Sequence, residues 1–290
     1  MTTWPVAANT FIWHSPLTTE VLERRLPLLA EWGFDAVELP LENLGDWDPV
    51  RCATLLKDLG LTSLIGLVFG PGRELAAAPI ATQLATKRYM RAAIELASAH
   101  NAPLVIGPAY CSVGRTWRTS ISERTELLTE LRENYKELID IAGQHDVKIA
   151  LEPLNRYETS VFNTAYQLME FIDDLDAKVI GINLDTYHMN IEEQSIGDAI
   201  RLAGDRLLHL QVCGNDRGTP GPDHTPWEEV FSALRDIRYG GMLGIESFMP
   251  ENASIARAAS IWRPLASSQD ALARDGLDFL RTFHREEPAR

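Results

Sequence analysis

The stretch Lys148-Ile149-Ala150-Leu151-Glu152-Pro153-Leu154-Asn155-Arg156-Tyr157-Glu158 places an acid at the end of a short apolar run. Residues 147–151 predict a buried strand, and Pro153 predicts its end because proline cannot donate a hydrogen bond to a neighbouring strand. Parallel barrels and doubly wound sheets form their functional sites at the carboxyl ends of strands. Glu152 is therefore the first candidate for chemistry, although an acid at a strand end can also be an ordinary loop residue.

Short apolar runs alternate with longer amphipathic segments along the whole chain. Eight strands are predicted, at residues 9–14, 35–41, 63–69, 103–107, 147–152, 179–185, 207–213 and 242–247. Eight helices are predicted between and after them, at residues 18–32, 50–59, 79–100, 122–143, 164–175, 195–204, 226–237 and 268–284. Eight complete βα units predict an α/β fold of the (β/α)₈ TIM barrel type, and an open doubly wound sheet is the alternative.

The chain shows no internal boundary. Among its 290 residues there is no Pro/Ser-rich linker and no low-complexity tract, so residues 1–290 are predicted to form a single domain. The segment 248–267 is too long for a simple turn. We expect it to be an ordered loop that borders the site or contacts another subunit, followed by the last helix at 268–284.

The composition argues against several classes of function. Acidic residues outnumber basic ones 41 to 27, which disfavours nucleic acid as a partner. Cys52, Cys111 and Cys213 are far apart, so they predict neither a disulfide framework nor a zinc knuckle and indicate a reducing, cytoplasmic compartment. The first residues show no basic leader, and no segment has 18 uninterrupted apolar residues, so no membrane association is expected.

The last four predicted strands each carry an oxygen-bearing side chain near the carboxyl end: Glu152, Asp185, Gln211 and Glu246. In a barrel these strands are neighbours. Three carboxylates that converge without lysine or arginine between them would repel one another strongly, and a divalent cation removes that repulsion. An all-oxygen set favours Mn²⁺ or Mg²⁺ over Zn²⁺. Any one of the four could still be an ordinary residue near a strand end.

Other polar residues lie close to these strand ends. Glu158, His188 and Arg217 follow them, and a carboxylate, a neutral imidazole and a guanidinium around a metal suit a polyol that carries a carbonyl. Arg217 could instead be an exposed turn residue. His209 shares a strand face with Gln211 and is predicted to lie behind the site. The sequence does not decide the side-chain directions of Trp13, His14 and Glu38.

Four segments together resemble the D-tagatose 3-epimerase and D-allulose (psicose) 3-epimerase family of the xylose-isomerase-like TIM barrels. They are Glu-Pro-Leu-Asn-Arg-Tyr-Glu-Thr (152–159), Asn-Leu-Asp-Thr-Tyr-His-Met-Asn-Ile-Glu-Glu (183–193), Asn-Asp-Arg-Gly-Thr-Pro-Gly (215–221) and Ile-Glu-Ser-Phe (245–248). The second segment is the most specific. The resemblance spans nearly the full chain.

The resemblance implies a site built around one divalent metal ion, commonly Mn²⁺, Co²⁺ or Mg²⁺. In that family two glutamates, an aspartate and usually a histidine hold the metal. The matching residues are Glu152, Asp185 and Glu246, with Gln211 at the position of the histidine, where the related hydroxypyruvate isomerases look similar in having glutamine. The substrate-contacting residues of the family match Glu158, His188 and Arg217. Relatives are dimers or tetramers, so a homodimer or homotetramer is expected.

The implied activity is epimerisation of a free ketose at C3, of the D-tagatose, D-allulose or L-ribulose type, through an enediolate. Glu152 and Glu246 are the expected acid–base pair on opposite faces of C3. An aldose–ketose or hydroxypyruvate-type isomerase of the same fold is the first alternative. A DNA-cleaving zinc nuclease of the same barrels and a catalytically silent sugar-binding protein are the others. The lack of a phosphate cradle favours unphosphorylated sugars.

Overall fold

The protein is described here by a computed structural model that covers residues 3–284. Eight parallel strands close into a barrel in their order along the chain, with β1 paired to both β2 and β8. The strands are β1 Val6–Asn9, β2 Ala36–Leu41, β3 Thr62–Leu67, β4 Leu104–Gly107, β5 Lys148–Leu151, β6 Ile180–Asp185, β7 Leu207–Val212 and β8 Leu243–Ile245. This closure confirms the predicted TIM barrel and excludes the open sheet.

Ten α-helices among the described residues surround the barrel or border its mouth. They are α1 Thr19–Trp32, α2 Pro49–Leu59, α3 Ile80–Ala99, α4 Ile121–Gln144, α5 Ala165–Ile172, α6 Thr186–Glu192, α7 Ile196–Ala203, α8 Trp227–Asp236, α9 Ala253–Ala258 and α10 Gln269–Leu280. No helix within residues 3–284 is long and apolar enough to span a bilayer.

Local sequence explains where the helices begin and end. In α1 the Thr18 side chain accepts a hydrogen bond from a backbone N–H of the first turn, and Gly33 ends the helix with φ of 90°. In α4 Ser120 and Glu123 form a reciprocal capping box. The buried Leu127 and Leu131 recur at a spacing of four, so one face of this helix packs on the barrel.

The barrel interior changes character along its axis. Its amino-terminal end is filled by a small apolar cluster of Ala7, Ala36, Leu64, Leu104, Ile106 and Ala150. Because strand side chains alternate, residues two positions further along point into the same interior. These include Asn9, Glu38 and Glu152, all buried. The interior is thus apolar at one end and polar at the mouth.

Three local predictions need correction. The first strand, predicted at 9–14, is β1 at Val6–Asn9, because the Asn9 side chain accepts from the Phe11 N–H and starts a 3₁₀ turn at Thr10–Ile12. Helix α6 was not predicted, and it begins where the Asp185 side chain accepts from the Tyr187 N–H. Helix α9 lies inside the segment 248–267 that was predicted as a loop.

Candidate active site

Three buried carboxylates meet at the mouth of the barrel. Glu152 directly follows β5, Asp185 ends β6 and Glu246 directly follows β8. Each continues the interior face of its strand, since Ala150, Asn183 and Gly244 precede them by two. All three are buried. The structure therefore brings together the three acids that the sequence singled out.

Arg217 lies among these acids. Its guanidinium is 2.8 Å from Asp185 Oδ2 and 2.9 Å from Glu246 Oε2, and the residue is 5% exposed. The rings of Tyr187 and Phe248 flank it, each with its centroid 4.7 Å away. The interpretation of Arg217 as an exposed turn residue is therefore wrong, and so is the expectation that no arginine lies between the carboxylates.

One guanidinium does not balance three carboxylates. Burial, followed by the charges of Glu246 and Asp185, raises the pKa of Glu152 well above its ordinary value. Burial likewise raises the pKa of Glu246 well above that range. Glu152 Oε1 is a buried oxygen with no hydrogen-bond partner among the described residues. An unpaired oxygen and excess negative charge are features that a divalent cation with a preference for oxygen ligands would satisfy.

His188 completes a buried cluster with two of these acids. Glu152, Asp185 and His188 each offer one candidate ligand atom within 4.8 Å of the others. However, His188 Nδ1 accepts a hydrogen bond from the Asn155 N–H at 3.0 Å, so the neutral ring carries its hydrogen on Nε2. Burial and then Arg217 lower the pKa of His188 well below its ordinary value. We therefore assign His188 Nε2 as a hydrogen-bond donor rather than a metal ligand.

Glu158 lies at the edge of the same cavity. Its Oε1 accepts from Asn155 Nδ2 at 2.8 Å, and burial raises its pKa. Glu152, Glu158, His188, Arg217 and Glu246 form the polar side of this cavity. The other residues that line the cavity are apolar and come from several loops and from α9: Phe11, Val68, Pro108, Val113, Leu154, Phe248, Ile255, Ala258 and Ala259. The cavity thus offers charged groups to one part of a ligand and an apolar wall to the rest.

Gln211 differs from the three acids in its contacts. Its Nε2 donates to Glu38 Oε2 at 2.8 Å, and its Oε1 accepts from Asn183 Nδ2 at 2.6 Å. Both ends of the amide are therefore engaged by residues of the barrel interior. The structure does not bring a free Gln211 oxygen to the carboxylates, and the place of Gln211 in a metal site stays a prediction.

Sequence reasoning left out Asn9 and did not decide the direction of Glu38, and both belong to this polar interior. Glu38 accepts hydrogen bonds from His209 Nε2 at 2.7 Å, from Gln211 and from Asn9. Asn9 also donates to Glu246 Oε1 at 2.9 Å. A usable signal was present, because Glu38 follows Ala36 by two in a strand that is otherwise apolar. Without the pairing of the strands, however, the sequence did not show which face of β2 points inward.

Comparisons with known proteins support the fold and the family. The sequence profile of the family described as xylose isomerase-like TIM barrel matches residues 26–283. A probable ketose 3-epimerase from Synechocystis sp. is 32% identical over 286 residues, which cover 96% of each chain. A D-psicose 3-epimerase from Agrobacterium fabrum is 30% identical, covering 87% of this chain and 90% of its own. A solved L-ribulose 3-epimerase superposes with a TM-score of 0.89 at 27% identity, covering 97% of this chain and 93% of its own.

Proposed function

The chain belongs to the xylose isomerase-like TIM barrel family, and we propose that it is a divalent-metal-dependent ketose 3-epimerase. Relatives named as ketose and D-psicose 3-epimerases, similar over most of the chain, support the reaction type. The observation that carries the proposal is a group of three buried carboxylates beside a cavity, of which two pair with one arginine. Such a group fits a cation and supplies two acids for proton transfer.

The cation would be held by Glu152, Asp185 and Glu246, with Gln211 as the fourth candidate ligand. We propose Mn²⁺, with Mg²⁺ or Co²⁺ as the other suitable ions, because the donor set is rich in carboxylate oxygen. When bound, the ion supplies Lewis-acid stabilisation of negative charge on substrate oxygens. The protein is proposed to be cytoplasmic and to assemble as a homodimer or homotetramer.

Proton transfer at C3 is assigned to Glu152 and Glu246. One carboxylate removes the C3 hydrogen as a proton, the electron pair of that bond forms the C2–C3 double bond, and O2 becomes negatively charged. The other acid returns a proton to the opposite face of C3. Burial raises the pKa of both glutamates, and a raised pKa suits a carboxyl group that must take up and release a proton.

Three further residues are assigned to the substrate. His188 Nε2 would donate a hydrogen bond to the developing charge on O2, because its ring is neutral and its Nδ1 is already occupied. Arg217 and Glu158 would hold hydroxyl groups on either side of the reacting carbon. The apolar residues that line the rest of the cavity exclude water from the enediolate.

Glu246→Gln tests the assignment of the acid–base pair. The amide has the same shape but cannot accept the C3 proton, so we expect kcat to fall on the order of 10²–10⁴-fold. Deuterium uptake at C3 from heavy water, followed by proton NMR, should fall in parallel, while circular dichroism remains that of the folded protein. Undiminished deuterium uptake would remove Glu246 from the mechanism.

A second candidate, an aldose–ketose or hydroxypyruvate-type isomerase, is favoured by Gln211 at the position where the epimerases usually have histidine. The two reactions give different products. Incubation of the Mn²⁺-loaded protein with free ketohexoses, ketopentoses and tetruloses should yield a new ketose epimer in the NMR spectrum. A new aldehyde signal in its place would establish the isomerase.

A further inference from the structure

Glu38 is a buried acid that the proposed mechanism does not use. It is 0% exposed, and three side chains donate hydrogen bonds to it: His209 Nε2, Gln211 Nε2 and Asn9 Nδ2, at 2.7, 2.8 and 2.9 Å. A buried carboxylate with this many donors is held in one orientation. Glu38 therefore gives the barrel interior a fixed acceptor directly behind the candidate site.

Asn9 connects Glu38 to Glu246. Its Nδ2 is 2.9 Å from Glu38 Oε2 and 2.9 Å from Glu246 Oε1, so the two hydrogens of one amide serve two carboxylates. Its Oδ1 accepts from the Phe11 N–H at 2.9 Å, which orients the amide with its hydrogens toward the acids. Asn9 lies directly opposite Glu38 in the register of β1 and β2. Because β1 pairs with both β2 and β8, Asn9 lies between Glu38 and Glu246.

The strand that leads to Glu246 is shaped around this pair. A Cβ atom at Gly244 would overlap Glu38 Oε1 and would lie 2.7 Å from His209 Nε2. Only glycine leaves room there for the Glu38–His209 contact. Two residues later, Glu246 is held at both oxygens, by Asn9 at Oε1 and by Arg217 at Oε2.

We propose that Glu38 is a positioning residue that sets the orientation of the Glu246 carboxylate through Asn9. Glu38 does not touch the cavity, and its effect reaches the substrate only through the Asn9 amide. This inference rests on the proposed function, since it assumes that Glu246 exchanges a proton with C3. The predicted site residues all come from the last four strands. The proposal gives residues of β1 and β2 a part in the reaction as well.

A double-mutant cycle with Asn9→Ser and Glu38→Gln tests the link. Serine can still accept from the Phe11 N–H, but it is too short to join the two carboxylates. We expect Asn9→Ser to lower kcat about 10- to 100-fold, which is the usual effect of losing a hydrogen bond to a charged group, with KM within about twofold. Glu38→Gln should lower kcat about 10-fold. The glutamine side chain has one accepting oxygen, whereas the two carboxylate oxygens of Glu38 now accept from three donors.

The decisive result is the double variant. If Glu38 acts through Asn9, adding Glu38→Gln to Asn9→Ser causes no further loss of kcat. The proposal would be overturned if the losses of the two single variants multiplied in the double variant. It would also be overturned if the single variants left kcat unchanged or changed only KM. Glu74→Gln is the matched control, because Glu74 is a buried acid whose partners Ser112 and Arg115 make no bond to Glu246 among the described residues.

An isotope measurement separates positioning from general loosening. With the ketose deuterated at C3, Asn9→Ser should raise the primary isotope effect in the direction in which Glu246 removes the hydrogen, and not in the reverse direction. Equal changes in both directions would contradict the inference. A wild-type protein that epimerises no ketose would refute the proposed function instead, so the two failures are distinguishable.

Discussion

Two groups of buried acids in this barrel differ in how their charge is balanced. Glu74 accepts from Ser112 Oγ at 2.5 Å and pairs with Arg115 at 2.7 Å, one acid with one arginine. At the mouth, Glu152, Asp185 and Glu246 share Arg217. A balanced pair can stabilise a loop without a ligand. An unbalanced group costs stability until a cation and a substrate occupy it, which is typical of a functional site.

Removing the arginine from each group should have the largest effect on stability. In metal-free buffer at pH 8 we expect Arg217→Met to lower the free energy of unfolding by about 3 kcal/mol, because the buried Asp185 and Glu246 lose the arginine that pairs with them. Arg115 is 30% exposed, so Arg115→Met should cost less than about 1 kcal/mol. Urea denaturation measures both. Equal losses would erase the difference between the two groups.

Adding Mn²⁺ should affect only the unbalanced group. At a free concentration of 100 times Kd, binding to the folded state raises the free energy of unfolding by about 2.7 kcal/mol. Asp185→Asn should weaken Mn²⁺ binding in titration calorimetry and reduce this increase at the same concentration. Glu74→Gln should keep it in full. A Mn²⁺ response that Asp185→Asn leaves unchanged would place the metal elsewhere.

Removing one acid from each group should shift stability in opposite directions. Without metal, Glu152→Gln relieves repulsion and should raise the free energy of unfolding by about 1 kcal/mol, while epimerase activity is lost. Glu74→Gln removes the charge of an ion pair and should lower the free energy of unfolding by about 1 kcal/mol. A loss of stability in Glu152→Gln would show that its charge is already balanced.

The smallest effect concerns the dependence of stability on pH. Because burial and Arg217 lower the pKa of His188, the unfolded chain takes up a proton below pH 6.5 that the folded protein does not. Between pH 6.5 and 5.5 this lowers the free energy of unfolding by about 1 kcal/mol. His188→Gln should remove that loss. The measurement is the change in the free energy of unfolding between pH 6.5 and 5.5, compared between the variant and the wild type. An identical pH dependence in both proteins would mean that His188 binds its proton equally well in the folded and the unfolded chain.

Residues with a local signal were predicted well. Short apolar runs placed Glu152, Asp185 and Glu246 at strand ends, because such a run depends on the strand alone. The short helix α6 was missed, since its start depends on the Asp185 side chain reaching the Tyr187 N–H rather than on an apolar pattern. The end of β1 was misplaced for a similar reason, because the turn that Asn9 starts ends the strand.

The sequence by itself determined the number of strands and the acids at their ends, because these follow from apolar runs and turn residues. Only the tertiary structure decided that Arg217 lies between Asp185 and Glu246 and that Glu38 faces inward. The Asn9–Glu246 contact joins residues 237 positions apart in the chain. Such contacts exist only because β1 pairs with β8, and closure with its register is a property of the whole barrel rather than of any segment.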